Sequence, residues 1–399
     1  MLLVQILLFV YAVKTVGYFY IMLRNEEKLP KHSPSTISSL LSVEIIIPMY
    51  NEEIVILKTI ESALNIDYEN YSVTIIDDGS TDDSLQLVNS RFGDNTHIKI
   101  LNQQNKGKAL ALNNAISLSD KDIVICIDAD TQVESNVIKK ILPYFHNQEV
   151  AAVAGQIEVG NKRNLITYLQ YVEYITTPNY ERHVFQYVNG ILVIPGAIGA
   201  FRRSVLVKLG GYSNDTLTED NEMTLRLLCK NHIIRNAYDV KGYTEAPENI
   251  QAFIKQRVRW KVGSMQVLYK YSSTIFNVKN KLFGYLVIPY LIMFSFILPI
   301  ITPIADYIFV YAMLTPDQSD LLYYYFAFIL FDSIICSIIL IKNKTSKEVI
   351  YIVPQRLMLR QLILITYIII IYKIISRDLF KWENSVRFGN VNIKHKNPV

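Results

Sequence analysis

The chain has 399 residues and a formal net charge of +4, and its basic residues lie beside apolar runs rather than in one tract, which argues against a nucleic-acid partner. Hydrophobic residues make up 51% and mean hydropathy is +0.20, yet Ser42 to Ile250 reads like a soluble protein while apolar runs crowd towards both ends. That distribution excludes a simple soluble domain and describes a membrane-embedded protein with a water-exposed head.

Cys126, Cys229 and Cys336 are odd in number and far apart, with no Cys-x-x-Cys pair. They predict buried thiols in a reducing compartment, not disulfides or zinc ligands. Met1 to Leu23 is apolar except for Gln5, Lys14 and Thr15, and is long enough to cross a bilayer. A cleaved signal peptide is disfavoured, because no Lys or Arg precedes the apolar run and no small-x-small site follows it. Arg24, Lys28 and Lys31 come next, so the positive-inside rule puts the head in the cytoplasm. Lys14 in mid-membrane would cost roughly 2.5–3.5 kcal/mol, which snorkelling or a polar contact with another helix can relieve.

After a polar linker with Pro30 and Pro34, the segment Val43 to Pro48 reads as a buried strand. Tyr50-Asn51-Glu52-Glu53 then opens a helix whose apolar positions Ile54, Leu57, Ile60 and Leu64 recur at helical spacing. Tyr71 to Ile76 is a second strand, ending in Asp77-Asp78-Gly79-Ser80, with Thr81-Asp82-Asp83 starting the next helix. His97 to Leu101 is a third strand, and Asn105-Lys106-Gly107-Lys108-Ala109 leads into another helix. Ile123 to Ile127, rich in β-branched residues, is a fourth, ending in Asp128-Ala129-Asp130. Alternating strands and helices with short links define a doubly wound α/β sheet, and ligands of such sheets collect beyond the carboxyl ends of the strands. The hard oxygens of Asp128 and Asp130 suit Mg2+ or Mn2+, which in turn grip phosphate oxygens. Neither a P-loop nor Gly-x-Gly-x-x-Gly is present, so no glycine-rich loop holds a nucleotide.

A strand over Val150 to Gln156 and a long helical stretch over Leu165 to Gln186 come next, and then Ile194-Pro195-Gly196-Ala197-Ile198-Gly199-Ala200, whose small residues predict a loop that a ligand approaches closely. Leu217-Thr218-Glu219-Asp220 opens a helix over Asn221 to Cys229, with Thr218 as its N-cap. Ile250, Ile254, Val258 and Val262 repeat at helical spacing among charged residues, as in an amphipathic helix at a membrane surface. That helix carries Gln256-Arg257-Val258-Arg259-Trp260, in which Arg259 can fork onto phosphate and Trp260 can offer a face to a sugar ring. Leu282 to Leu314 predicts one long, kinked crossing, and Leu321 to Ile341 a return crossing. In Val349 to Ser376, Arg356 and Arg360 interrupt the apolar pattern, which suggests an interfacial helix with a short crossing from Leu362, or a re-entrant hairpin. Asp306, Asp332 and Arg356 either line a polar passage or pair with one another.

PMYNEE, IIDDGSTDD, NKGKALALNNA and CIDAD, in this order and spacing, resemble the nucleotide-sugar half of the inverting glycosyltransferases of family 2, with their GT-A fold. LTED and QRVRW are similar to the Thr-Glu-Asp and Gln-x-x-Arg-Trp signatures of its processive membrane synthases, in the style of the bacterial poly-β-1,6-N-acetylglucosamine synthases. Hyaluronan, chitin and cellulose synthases share these motifs.

The resemblance implies that Pro48, Tyr50 and Glu52 border the uridine of a UDP-sugar, with Asp78 on the nucleoside and Lys108 close by. It implies Mg2+ or Mn2+ on Asp130 with help from Asp128, and Asp220 as general base beside Glu219. Gln256, Arg259 and Trp260 would serve the diphosphate and the acceptor, a growing polysaccharide, and Trp382 and Arg387 would stay near the site after the last helix. A small membrane partner is suggested too. The expected organisation is a membrane helix over 1–24, a linker over 25–42, a GT-A head over 43–248, interfacial helices over 249–281, membrane helices over 282–376 and a basic tail over 377–399. Transfer of a single sugar to a lipid is the competing activity, and a non-enzymatic receptor with a degenerate head is the outsider.

Overall fold

The computed structural model describes residues 2–25, 41–274, 283–315, 319–376 and 387–391. Most of the linker, Trp382 and the rest of the tail lie outside them. The centre is an eight-stranded mixed sheet in the order β3-β2-β1-β4-β7-β6-β8-β5. Its strands are β1 (Val43–Met49), β2 (Tyr71–Asp77), β3 (Ile98–Asn102), β4 (Ile123–Cys126), β5 (Gln132–Val133), β6 (Val150–Val159), β7 (Gly199–Arg202) and β8 (Ile233–Thr244).

The half formed by β3, β2, β1 and β4 is parallel, as the alternation with helices α2 (Ile56–Leu64), α3 (Ser84–Phe92) and α4 (Lys108–Leu118) requires. Every residue of β1 and β4 is buried, because helices cover both faces. The direction then reverses. β7 runs antiparallel to both β4 and β6, and β8 runs parallel to β6. The stretch expected as a loop therefore splits, since Pro195-Gly196-Ala197 stays a loop while Gly199–Arg202 is a central strand. Glycine and alanine give β7 too little bulk for a strand-like apolar pattern, and a Cβ on residue 199 would fall 2.8 Å from Ile194 Cγ2 of the preceding loop.

Short helices α5 (Val137–Ile141), α7 (Tyr180–Phe185) and α8 (Arg203–Lys208) join the strands, and α6 (Leu165–Tyr174) runs through a π-helical turn, Ile175–Asn179, into α7. Helices α9 (Glu219–Cys229) and α10 (Ile250–Lys270) follow. Three segments, Phe283–Leu314, Asp320–Lys342 and Ser346–Ile375, are long and apolar enough to cross a membrane. The first joins π-helical turns and α11 (Ile288–Ile292) to α12 (Leu298–Leu314) around its prolines, and the others hold α13 (Ser319–Lys342) and α14 (Ile352–Ile375). The N-terminal helix α1 (Leu2–Asn25) contains the apolar stretch Gln5–Tyr18 and packs beside α13.

One correction concerns α14, which is a single helix rather than an interfacial piece, a short crossing or a hairpin. Arg356 reaches Asp332 of α13 at 2.5 Å and Arg360 reaches Asp306 of α12 at 2.5 Å, so both arginines stay inside a continuous span. Lys14 likewise meets Glu181 of α7 at 2.9 Å, tying the anchor helix to the head.

Candidate active site

The site forms where β1, β2 and β4 end. Asp78 follows β2 and takes Gln103 Nε2 at 2.8 Å, Lys106 N at 2.9 Å and Gly107 N at 2.8 Å, so it shapes the turn that starts α4. That turn aims Lys108 back at the end of β4. Its ammonium lies 2.5 Å from Asp128 and 2.9 Å from Glu219, bridging the β4 turn to the first turn of α9. Burial alone would lower its pKa, but Asp128, Glu219 and Asp220 hold it well above the ordinary value.

Asp130 is buried, and accepts from Thr131 Oγ1 at 3.1 Å and Thr244 Oγ1 at 3.2 Å. Its other oxygen lies 2.5 Å from Arg387, whose guanidinium also faces Glu52 at 3.2 Å. Phe388 N and Gly389 N donate to Glu245, and Lys58 donates to the Gly389 carbonyl, so residues 387–391 form a strap beside the metal-type carboxylates. Burial, reinforced by Asp130 and Asp128 and opposed by Arg387, pushes the Glu52 carboxyl up to about 7.

On the facing side, Asp220 stands in the first turn of α9. Gly196 N donates to one of its oxygens at 3.2 Å and Asn221 N to the other at 2.8 Å. A Cβ on residue 196 would fall 2.9 Å from Lys108 Nζ, so the small-residue loop is what lets the lysine pass. Burial first, and the neighbouring Glu219 second, push the Asp220 carboxyl up to about 6, against the pull of Lys108. A carboxylate that is still ionised at pH 7 yet more basic than usual is suited to taking a proton.

The helix α10 completes the wall. Arg257 lies 2.6 Å from Glu173 and 4.4 Å over the Trp260 ring, which fixes the indole. Arg259 faces the same space and makes no ion pair among the described residues. The Oε1 of Gln256 is buried and has no hydrogen-bond partner among the described residues.

Lys108, Asp128, Asp130, Glu219, Asp220, Gln256, Arg259 and Trp260 all line one cavity of about 580 Å3, together with Arg387 and Glu245. The cavity continues between the membrane helices, past Lys14, Phe294, Phe328, Asp332, Arg356 and Arg360. Pro48, Tyr50, Glu52 and Asp78 are not part of its lining: Pro48 sits in β1 opposite Ile76, and all four cluster where β1 and β2 end. Thr244, Glu245 and Glu173 were missed by sequence reasoning, the first two because the mixed polar and apolar pattern of β8 gives no clean strand signal. Among the described residues no group of three or more His, Cys, Asp or Glu is placed to hold a metal ion alone. The pair Asp128 and Asp130 therefore fits a cation that draws its remaining ligands from a bound diphosphate and water.

This architecture is GT-A-like, and residues 44–210 match the model for "Glycosyl transferase family 2"; this segment is a family 2 glycosyltransferase domain. The chain is 29% identical over 254 residues to poly-β-1,6-N-acetyl-D-glucosamine synthase of Staphylococcus aureus strain COL, covering 63% of this chain and 62% of that protein. It is also 29% identical over 244 residues to the synthase of the same name from Staphylococcus epidermidis, covering 60% and 59%. The chain thus spans less than two thirds of the length of the curated relatives it matches. A mannosyltransferase from Pyrobaculum calidifontis, solved with GDP-Man and Mn2+, has the same fold, with a TM-score of 0.60 at 18% identity over 89% of this chain and 99% of its own.

Proposed function

We propose that the chain is a membrane-bound inverting transferase that moves a sugar, N-acetylglucosamine, from a UDP-sugar onto a growing polysaccharide, with its head on the cytoplasmic side. The observation that carries this reading is the single cavity into which Asp220, Lys108, Asp128, Arg259 and Trp260 all project, and which runs on between the membrane helices. The acceptor end rests against Trp260 and the Pro195-Gly196-Ala197 loop. Its hydroxyl gives its proton to Asp220 while the oxygen attacks the anomeric carbon from the face opposite the diphosphate. The bond from that carbon to the diphosphate oxygen breaks as the new one forms, UDP departs, and one displacement inverts the configuration.

Arg259 and Lys108 offset the charge that gathers on the leaving diphosphate, which is where fixed cations lower a barrier most. Asp130 and Asp128 would hold Mg2+ or Mn2+, which supplies Lewis-acid neutralisation of the same charge when bound. Glu52 and Asp78, at the ends of β1 and β2, border the nucleoside with Pro48 and Tyr50.

The test uses membranes carrying the full chain, labelled UDP-N-acetylglucosamine, and product sizing on a gel. Long product from the parental chain and none from Asp220→Asn, with UDP binding retained, is the expected result. A product carrying one sugar on a lipid would restrict the activity to single transfer. Unimpaired polymer from the variant would remove Asp220 as the base.

A further inference from the structure

The two helices that carry Asp220 and Arg259 meet along a continuous seam. On α10, Gly263, Ser264, Gln266, Lys270 and the following Tyr271 face the 217–222 segment, roughly a turn apart on one side of the helix. Gly263 lies so close to Thr218 that a Cβ there would fall 2.5 Å from Thr218 Cγ2 and 2.6 Å from Oγ1. This contact also explains why the Thr218 hydroxyl, expected to cap α9, makes no cap hydrogen bond. Asn221 Nδ2 donates to Ser264 Oγ at 3.0 Å, and Leu217 N donates to Gln266 Oε1 at 2.9 Å.

The seam ends on Glu222, whose side chain is fully buried. One of its oxygens accepts from Lys270 Nζ at 2.8 Å and Tyr271 OH at 2.7 Å, and the other from Arg226 at 2.8 Å. Arg226 in turn donates to the carbonyls of Leu209 and Gly211. A buried carboxylate needs such partners, so Glu222 holds the Lys270 end of α10 in place, and without those donors only Arg226 would face it.

We propose that this seam is the spacer that sets the base, Asp220, at its working distance from the diphosphate cation, Arg259, with Glu222 and Gly263 as positioning residues. The proposal rests on the roles given to Asp220 and Arg259 above. Neither Glu222 nor Gly263 lines the cavity, so neither touches substrate. Glu222 sits two residues beyond the base, and Gly263 one helical turn beyond Arg259. Through rigid helices, a shift at the seam becomes a shift between the two reacting groups, and misplacement by about 1 Å can slow a reaction on the order of 100-fold.

The experiment compares Glu222→Gln, Gly263→Ala and Lys270→Met with the parental chain in detergent, using UDP-N-acetylglucosamine and counting only folded protein from a melting curve. Expected is a fall in kcat of about tenfold or more for Glu222→Gln and for Gly263→Ala, with KM for the nucleotide sugar within about twofold. Combining Glu222→Gln with Lys270→Met should add little to either loss, because both open the same joint. Asp215→Asn, which weakens the outer, exposed contacts of Asp215 with Lys270 and Ser213 and leaves Glu222 its partners, keeps the parental rate. A kcat within twofold of parental in folded Gly263→Ala and Glu222→Gln overturns the proposal, as does a rise in KM without a fall in kcat. Should Glu222→Gln fail to fold, Gly263→Ala decides alone. Asp220→Asn run alongside separates the two ideas: if it transfers normally the base assignment fails, whereas a dead Asp220→Asn beside normal seam variants removes the spacer only.

Discussion

The two ends of the cavity differ in whether every charge is paired. Towards the membrane helices each acid that meets the cavity has a cation against it: Asp332 of α13 has Arg356 at 2.5 Å, and Glu181, where the head meets α1, has Lys14 at 2.9 Å. Deeper in the span Asp306 has Arg360 at 2.5 Å. In the head, Arg259 has no carboxylate partner among the described residues, and Asp220 accepts from backbone N–H groups while burial and Glu219 push its carboxyl up to about 6. An unpaired charge inside hydrocarbon is costly, so the membrane end closes its charges on one another. At the water-facing end a ligand can supply the missing partner. The contrast separates charges that hold the molecule together from charges kept ready for chemistry.

The largest effect should come from the head. Asp220→Asn keeps the side chain's shape and removes its basicity, so kcat should fall on the order of 1,000-fold or more while UDP affinity, read by calorimetry, stays near parental. In the membrane half the damage should be to stability instead. Asp332→Asn strands Arg356, with an expected cost of about 3 kcal/mol read as a lower Tm in detergent. Adding Arg356→Gln should recover part of that loss, since no charge is then left alone. A fall in Tm for Asp220→Asn as large as that for Asp332→Asn would erase the distinction between the two ends.

Acidity probes the same divide. The base must be ionised to work, and the Asp220 carboxyl is pushed up to about 6, chiefly by burial. The transfer rate should therefore be full above that pH and fall about tenfold per unit below it, whereas an unperturbed carboxylate would sustain the rate to about pH 4. A limb near 4 in the profile of kcat would show that Asp220 does not govern it.

Much of the head is legible in its residues alone. Runs of buried β-branched residues that stop at acidic turns mark β1, β2 and β4, and the expected Val43 to Pro48 is observed as Val43–Met49. What stays hidden depends on partners remote in sequence. Gly199–Arg202 becomes a strand only because β4 and β6 flank it, and its small residues look like a loop in isolation. Arg356 and Arg360 break a hydropathy pattern until Asp332 and Asp306 on other helices neutralise them. Of the site, the acidic turns and the LTED and QRVRW motifs are legible because each is local. Glu173, Thr244 and Glu245 carry no local signal, and the contact of Arg387 with Glu52 spans 335 positions.

Arg387 offers the smallest and most discriminating test, because it closes the charge of a metal-type carboxylate in the head as the membrane half closes its own. Its guanidinium lies 2.5 Å from the Asp130 oxygen opposite the one used by Thr131 and Thr244, and a divalent cation on that oxygen has to displace it. Arg387→Ala should therefore tighten binding of Mn2+ alone severalfold, measured by the loss of the free-ion EPR signal without nucleotide. Removing the guanidinium also takes away the one influence that holds the Glu52 carboxyl down, so its pKa rises above about 7 and the gain in affinity should grow between pH 7 and pH 8 as Glu52 ionises. Unchanged or weaker Mn2+ binding across that range would mean that Arg387 serves the site as a permanent structural cation and not as a stand-in for the metal.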